Sequence, residues 1–170
     1  MKEEERTEPP LVGDDRELLT KFLDFHRDTL EWKCSGLTPE QLRERAVPPS
    51  SMSLLGIVRH LADVERGWFR RGVNGEDLAG IYWTEADPDG DFDNVDNATR
   101  ADVDDAFATW RTEVQRAREI TAAKSLDDTF VRRGKEFSLR WVLVHLVEEY
   151  ARHNGHADLL RERLDGETGE

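Results

Sequence analysis

The stretch from Trp141 to Leu160, WVLVHLVEEYARHNGHADLL, decides the fold. It holds three of the five histidines, and His145, Glu149, His153 and His156 fall on one side of a helix. At about 100° per residue, Glu149 lies roughly 40° from His145, His153 roughly 80° and His156 roughly 20°. Trp141, Val142, Leu143, Val144, Leu146 and Val147 put apolar residues on every side, which predicts a helix buried all round. Buried imidazoles and a buried carboxylate need partners, because an unpaired polar group in an apolar setting is costly. A divalent metal satisfies several at once.

The chain around it is long enough, at 170 residues, for one domain with a core of its own. Its 37% apolar and 36% charged content implies compact helices under a heavily solvated surface. A net charge of −13 argues against binding nucleic acid, which needs clustered Lys and Arg, and against anionic membrane surfaces. No apolar run is long enough to span a membrane, and the acidic start MKEEERTEPP does not read as a signal peptide. Cys34 is the single cysteine and can form no internal disulfide, so the expected compartment is the reducing cytoplasm. Arginine supplies 19 of the 24 basic residues, a skew that hints at a GC-rich genome and not at mechanism.

Residues 1–12 are charged, carry Pro9 and Pro10, and read as a flexible lead-in; 13–166 form the folded domain and 167–170 a tail. Leu18, Leu19, Phe22, Leu23, His26 and Leu30 follow i, i+3, i+4 spacing and predict a first amphipathic helix, stopped at Gly36. Thr38-Pro39-Glu40-Gln41 is a capping box opening a short helix that ends before Pro48-Pro49. A second long helix is expected over 53–71, with Ile57, Leu61, Val64 and Trp68 inward and His60 at the margin of that face. Residues 73–98 carry eight acidic side chains and no Lys or Arg, which reads as a solvated acidic loop. Its Asp87, Asp89, Asp91, Asp93 alternation fails as a calcium loop: Gly90 is misplaced and Ala98 sits where a bidentate Glu belongs. A capping box at Thr99–Asp102 opens a third long helix carrying Val103, Phe107, Trp110, Val114, Ala117 and Thr121. A small hairpin around Arg133-Gly134-Lys135 precedes the fourth helix, capped by Ser138 and ended at Gly166. Four long helices predict an all-α four-helix bundle. A connection of about 26 residues is far longer than antiparallel neighbours need, so the second and third long helices are expected to run parallel.

Glu149 and His153, four apart, meet on one helix face and can give two ligands to one ion. The pair alone is a weak signal, since a surface pair or a buried hydrogen bond has the same spacing. His60, inward on another helix, supplies the third ligand. A set of two histidines and one carboxylate with open positions suits catalytic zinc, and equally a non-haem iron centre. His156 reads as the catalytic candidate, touching a ligand histidine or the substrate. His145, two turns and roughly 12 Å from His153, reads as a hydrogen-bonded structural residue, and His26 as a core or interface residue. Cys34 lacks an activating neighbour and reads as a small buried thiol. No Walker loop, GxGxxG or nucleophile elbow is present. Tyr82, Trp83 and Trp68 read as core aromatics that could also wall a site. Arg132, Arg133 and Lys135 fit a solvated turn, or a grip on an acidic co-substrate.

SLLGIVRHLADVERGWFRRG at 53–72 and LRWVLVHLVEEYARHNGHADLLRERLDG at 139–166 resemble the DinB-like metalloprotein superfamily, and within it a branch common in actinobacteria. FLDFHRDTLEWKCSGLTPEQL at 22–42 and VPPSSMSL at 47–54 fit the same branch, so the resemblance covers about residues 12–168. It implies a four-helix bundle with parallel second and third helices. Many members hold a divalent ion through a histidine on the second helix and an H-x-x-x-H pair on the fourth. Here Glu149 replaces the first of that pair, as in the related zinc enzyme mycothiol-dependent maleylpyruvate isomerase. The resemblance thus implies His60, Glu149 and His153 as ligands of a divalent metal, with zinc expected before nickel or iron. It further implies a mycothiol-type thiol as co-substrate and an electrophilic small molecule as its partner. Substrate identity does not transfer with the fold. A metal-dependent hydrolase or iron enzyme on the same ligands, or a metal-binding stress protein without turnover, are the other readings, and a homodimer is open.

Overall fold

A computed structural model of the protein describes residues 6–169. It is mostly helical, with one small two-stranded sheet. Helix α1 (Asp15–Cys34) is capped by the Asp14 carboxylate, which accepts from the Glu17 amide. Thr38 and Gln41 form the expected capping box of α2 (Pro39–Arg43). Ser53 caps α3 (Leu54–Glu65) by accepting from the Gly56 amide. The helix does not run on as α-helix to residue 71 as expected. It passes into a π-helical segment, Arg66–Val73, closed by the Asn74 amide donating to the Phe69 carbonyl five residues back. Hydrophobic spacing carries no mark of such a turn, which reveals itself only in the backbone hydrogen bonds. After the crossover come α4 (Gly90–Asp93), α5 (Arg100–Ala122, with its Thr99/Asp102 capping box), strands β1 (Thr129–Arg132) and β2 (Lys135–Ser138), and α6 (Leu139–Asp165).

The strands pair antiparallel, Thr129 opposite Ser138 and Arg132 opposite Lys135, around a two-residue turn. Both turn residues have positive φ, 50° at Arg133 and 74° at Gly134. That backbone matches strand twist but costs a residue with a Cβ.

Leu23 and Leu30 of α1, Leu54, Ile57 and Leu61 of α3, Val103 and Trp110 of α5, and Leu139, Leu146 and Tyr150 of α6 are buried in one core. Each fully buried aliphatic side chain contributes about 1.5–3 kcal/mol, so the inward stripes hold the helices together. Helix α1 packs on α6 and α3 packs on both α5 and α6. Along α1 and α6 the polar contacts advance together: Asp15 pairs with Arg140, His26 accepts from Asn154, and Lys33 pairs with Asp158. Along α3 and α5, Leu55 and Arg59 share a cleft with Asp102, Asp105 and Ala106, while Arg66 and Arg70 bind Glu113 further on.

Helix α6 is not buried all round. Trp141, Val144 and Leu159 are each about half exposed, because α6 meets α1 and α3 on one side and solvent on the other. Residues 1–5 of the expected flexible lead-in and residue 170 of the tail lie outside the described residues. Arg6 is packed: its guanidinium lies 4.2 Å from the Trp32 ring and donates to Thr29. No helix among the described residues is long and apolar enough to cross a membrane.

Candidate metal centre

Helices α3 and α6 bring His60, Glu149 and His153 together. One ligand atom from each lies within 4.8 Å of the others, close enough for one ion. The His60 and His153 rings are 4.8 Å apart, and His153 Nε2 is 3.8 Å from Glu149 Oε2. His153 is buried, and burial first, then the neighbouring His60 and His156, holds its pKa down to about 4. It is therefore neutral at pH 7, with a lone pair to donate. Its Nδ1 is buried with no hydrogen-bond partner among the described residues.

The crossover completes the site. Arg59 fastens it to α3 by donating to the carbonyls of Asn94 (2.6 Å) and Gly90 (3.2 Å), and Asp63 accepts from the amides of Ile81 and Tyr82. Helix α4 then sets Phe92 against the His60 ring, at 5.0 Å, and Asp91 beside it. Asp91 Oδ2 is 2.8 Å from His60 Nδ1. An Nδ1–H donating to that carboxylate leaves the Nε2 lone pair free, the arrangement by which carboxylates orient ligand histidines. Asp91 corrects the reading of 73–98 as a solvated loop, for it is buried and Val95 fully so. Sequence reasoning missed it, since nothing local separates Asp91 from the acidic residues on either side.

His156 meets the His153 ring edge-on at 5.3 Å, and its Nδ1 also lacks a partner. His145 sits between Trp68 and Trp141, with Nδ1 3.4 Å from Glu148 and Nε2 3.5 Å from Glu149. His145, Glu148 and Glu149 form a second group of suitable atoms, all on one helix and with Glu148 exposed and also paired to Arg152. His60, Glu149 and His153 differ from that group in converging from two helices, with His153 buried and none of the three exposed. His26 lies away from this set, its carbonyl accepting from Asn154 at 3.0 Å.

Trp68 and Trp83 line a cleft of about 290 Å³ beside His60 and Asp91, together with Arg132 and Arg133. Tyr82 and Lys135 are not part of its wall; Tyr82 lies under the Arg59 guanidinium, 4.4 Å away. A larger cleft of about 500 Å³ between α3, α5 and the crossover has no histidine in its wall.

Cys34 is buried at the end of α1, and burial pushes its thiol pKa up to about 12. The thiolate is the reactive species. The native protein should therefore resist iodoacetamide at pH 8, and Cys34→Ser should keep metal and activity. Stoichiometric alkylation of folded protein would overturn this.

Among known proteins, the family model described as MST: Mycothiol-S-transferase matches residues 18–166. None of the curated proteins matches the chain.

Proposed function

The chain belongs to the mycothiol-S-transferase family, and from that membership we propose a divalent-metal-dependent enzyme that transfers a mycothiol-type thiol to an electrophilic small molecule. One observation carries the metal part: two histidines and a glutamate converge from two helices, one histidine anchored by Asp91 and the other held neutral. In this reading His60 Nε2, Glu149 and His153 hold the ion, with zinc the expected one. Two neutral imidazoles and one carboxylate leave a divalent ion with residual positive charge and open positions. Bound there, the ion would lower the pKa of an approaching thiol, so that thiolate is available at neutral pH.

The chain's own residues do the rest. Asp91 and Phe92 fix the His60 ring, while the buried surroundings of His153 keep protons off it. In this reading His156 contacts the thiol, a role supported by its ring lying edge-on to His153 and by its unpartnered Nδ1. Trp68 and Trp83 wall the cleft beside His60. The same reading takes the four long helices as a DinB-like bundle with α3 and α5 parallel, supported by contacts that advance together along both helices.

The test is spectroscopic. Cobalt-substituted protein should develop a sulfur-to-metal charge-transfer band on adding mycothiol or N-acetylcysteine. Glu149→Ala and His153→Ala should show none. Ester hydrolysis in thiol-free buffer, with a spectrum that no thiol perturbs, would replace this reading with a hydrolase on the same ligands.

A further inference from the structure

Next to the metal-ligand set lies a group of cations that the reading above does not use. The chain has 37 acidic residues, and most buried or half-buried guanidinium groups find one: Arg27 binds Glu65, Arg66 and Arg70 bind Glu113, and Arg161 binds Asp165. Arg16, Arg43 and Arg59 donate instead to backbone carbonyls, whereas Arg71, Arg132 and Arg133 have neither kind of acceptor among the described residues. Yet Arg132 and Arg133 line the cleft beside His60. The two carboxylates in that wall are already engaged, Asp63 with the Ile81 and Tyr82 amides and Asp91 with His60 and the Phe92 amide.

The cluster is also built rather than splayed. The Arg132 guanidinium lies 4.1 Å from the Trp68 ring, and Arg71 lies over Trp83 at 5.8 Å. Gly72 lets the hairpin approach, for a Cβ there would meet Phe130 at 3.2 Å, and one at Gly67 would meet Arg132 Nη2 at 3.3 Å. Burial, then the charges of Arg133 and Arg71, lower the Arg132 pKa. Arg133 occupies a left-handed turn position, φ 50°, where Asn, Asp or Gly would fold more easily. Such an arrangement is self-repulsive until an anion joins it.

Resting on the transferase reading of the adjacent histidines, we propose that Arg132 and Arg133, with Arg71 behind them, bind a carboxylate of the electrophilic co-substrate. The substrate class is then a small carboxylate-bearing electrophile, held with its reactive carbon toward His60, the member of the ligand set that lines the same cleft. A single carboxylate suits the site better than a multiply charged phosphate, because a chain of net charge −13 repels polyanions at a distance. Arginine's planar fork matches a carboxylate with two parallel hydrogen bonds.

The probes are benzoate and its neutral isostere benzamide, titrated into the metal-loaded protein at low salt and followed by calorimetry and tryptophan fluorescence. Benzoate should bind and benzamide should not. Arg132→Met, which keeps an unbranched side chain without the guanidinium, and Arg133→Gln, at an exposed turn, should each weaken benzoate about ten- to a hundredfold. Arg132→Lys should recover part of the loss, keeping the charge without the fork. Absence of benzoate binding, or binding equally tight in both arginine variants, overturns the proposal, the latter placing the carboxylate on the ion. Arginine-dependent benzoate binding beside a cobalt spectrum that no thiol perturbs would keep the anion site and remove the transferase reading. A thiol band with arginine-independent benzoate would do the reverse.

Discussion

His60→Ala, Glu149→Ala and His153→Ala should each leave the purified protein essentially free of zinc after chelator challenge, while folding persists. A site with three protein ligands has no spare, and loss of one leaves two donors that hold an ion far more weakly. Asp91→Ala should behave differently. It leaves all three ligands but frees the His60 ring to rotate and to protonate the wrong nitrogen, so affinity should fall about 10–100-fold without vanishing. Elemental analysis of protein purified without a histidine tag, followed by competition against a calibrated chelator, reads both effects. The alternative group on α6 gives a contrasting pattern. If the ion sits on His145, Glu148 and Glu149, His60→Ala keeps full occupancy and His145→Ala loses it. That result would end the two-helix site. A normal affinity in Asp91→Ala would instead remove the crossover from the metal centre.

The grouping of His60, Glu149 and His153 was legible because they lie inside long periodic helices. Glu149 and His153 sit four apart, and the fixed helical repeat makes them neighbours whatever the rest of the chain does. His60 lay on a second periodic segment, and its meeting with α6 followed from the resemblance and from the inward stripes. Asp91 had no such support. Its position depends on how an irregular crossover is fastened to α3 by Arg59 and Asp63, contacts between residues 18 to 35 apart in sequence. The π-helical segment was invisible for a related reason, since Arg66–Val73 carries residues that an ordinary α-helix accepts. One signal was present and went unused. Arg27 falls between Leu23 and Leu30 on the inward stripe of α1, and Glu65 follows Ile57 and Leu61 on that of α3. Opposite charges at core positions of two helices imply each other, because neither can be buried alone.

That pair yields the second large effect. Arg27→Met or Glu65→Met should each destabilise the protein by about 3–5 kcal/mol, and the double change should recover most of the loss. Glu65 is fully buried, and Arg27 binds it with two 2.8 Å hydrogen bonds, from Nε and Nη2. Tyr150 donates to Glu65 Oε1 at 2.8 Å and accepts from Trp110 Nε1 at 2.8 Å. Burial, with Glu65 beside it, pushes the Tyr150 hydroxyl pKa well up, so it keeps the proton it donates. Removing either charged partner strands the other in a low-dielectric core, and that uncompensated charge dominates the penalty. Removing both strands none, leaving only unequal packing and a Tyr150 hydroxyl proton without its acceptor, while the Trp110 bond remains. Urea melts of the three variants read this directly, and additive losses in the double variant would sink the argument. The network also bears on the metal centre. It joins α1, α3, α5 and α6 at a point one residue from Glu149 and about a turn and a half from His60. The single variants should therefore bind zinc more weakly, and the double variant should regain affinity along with stability. If stability returns but zinc affinity does not, the charged network positions the ligands in a way that hydrophobic packing of the same helices cannot.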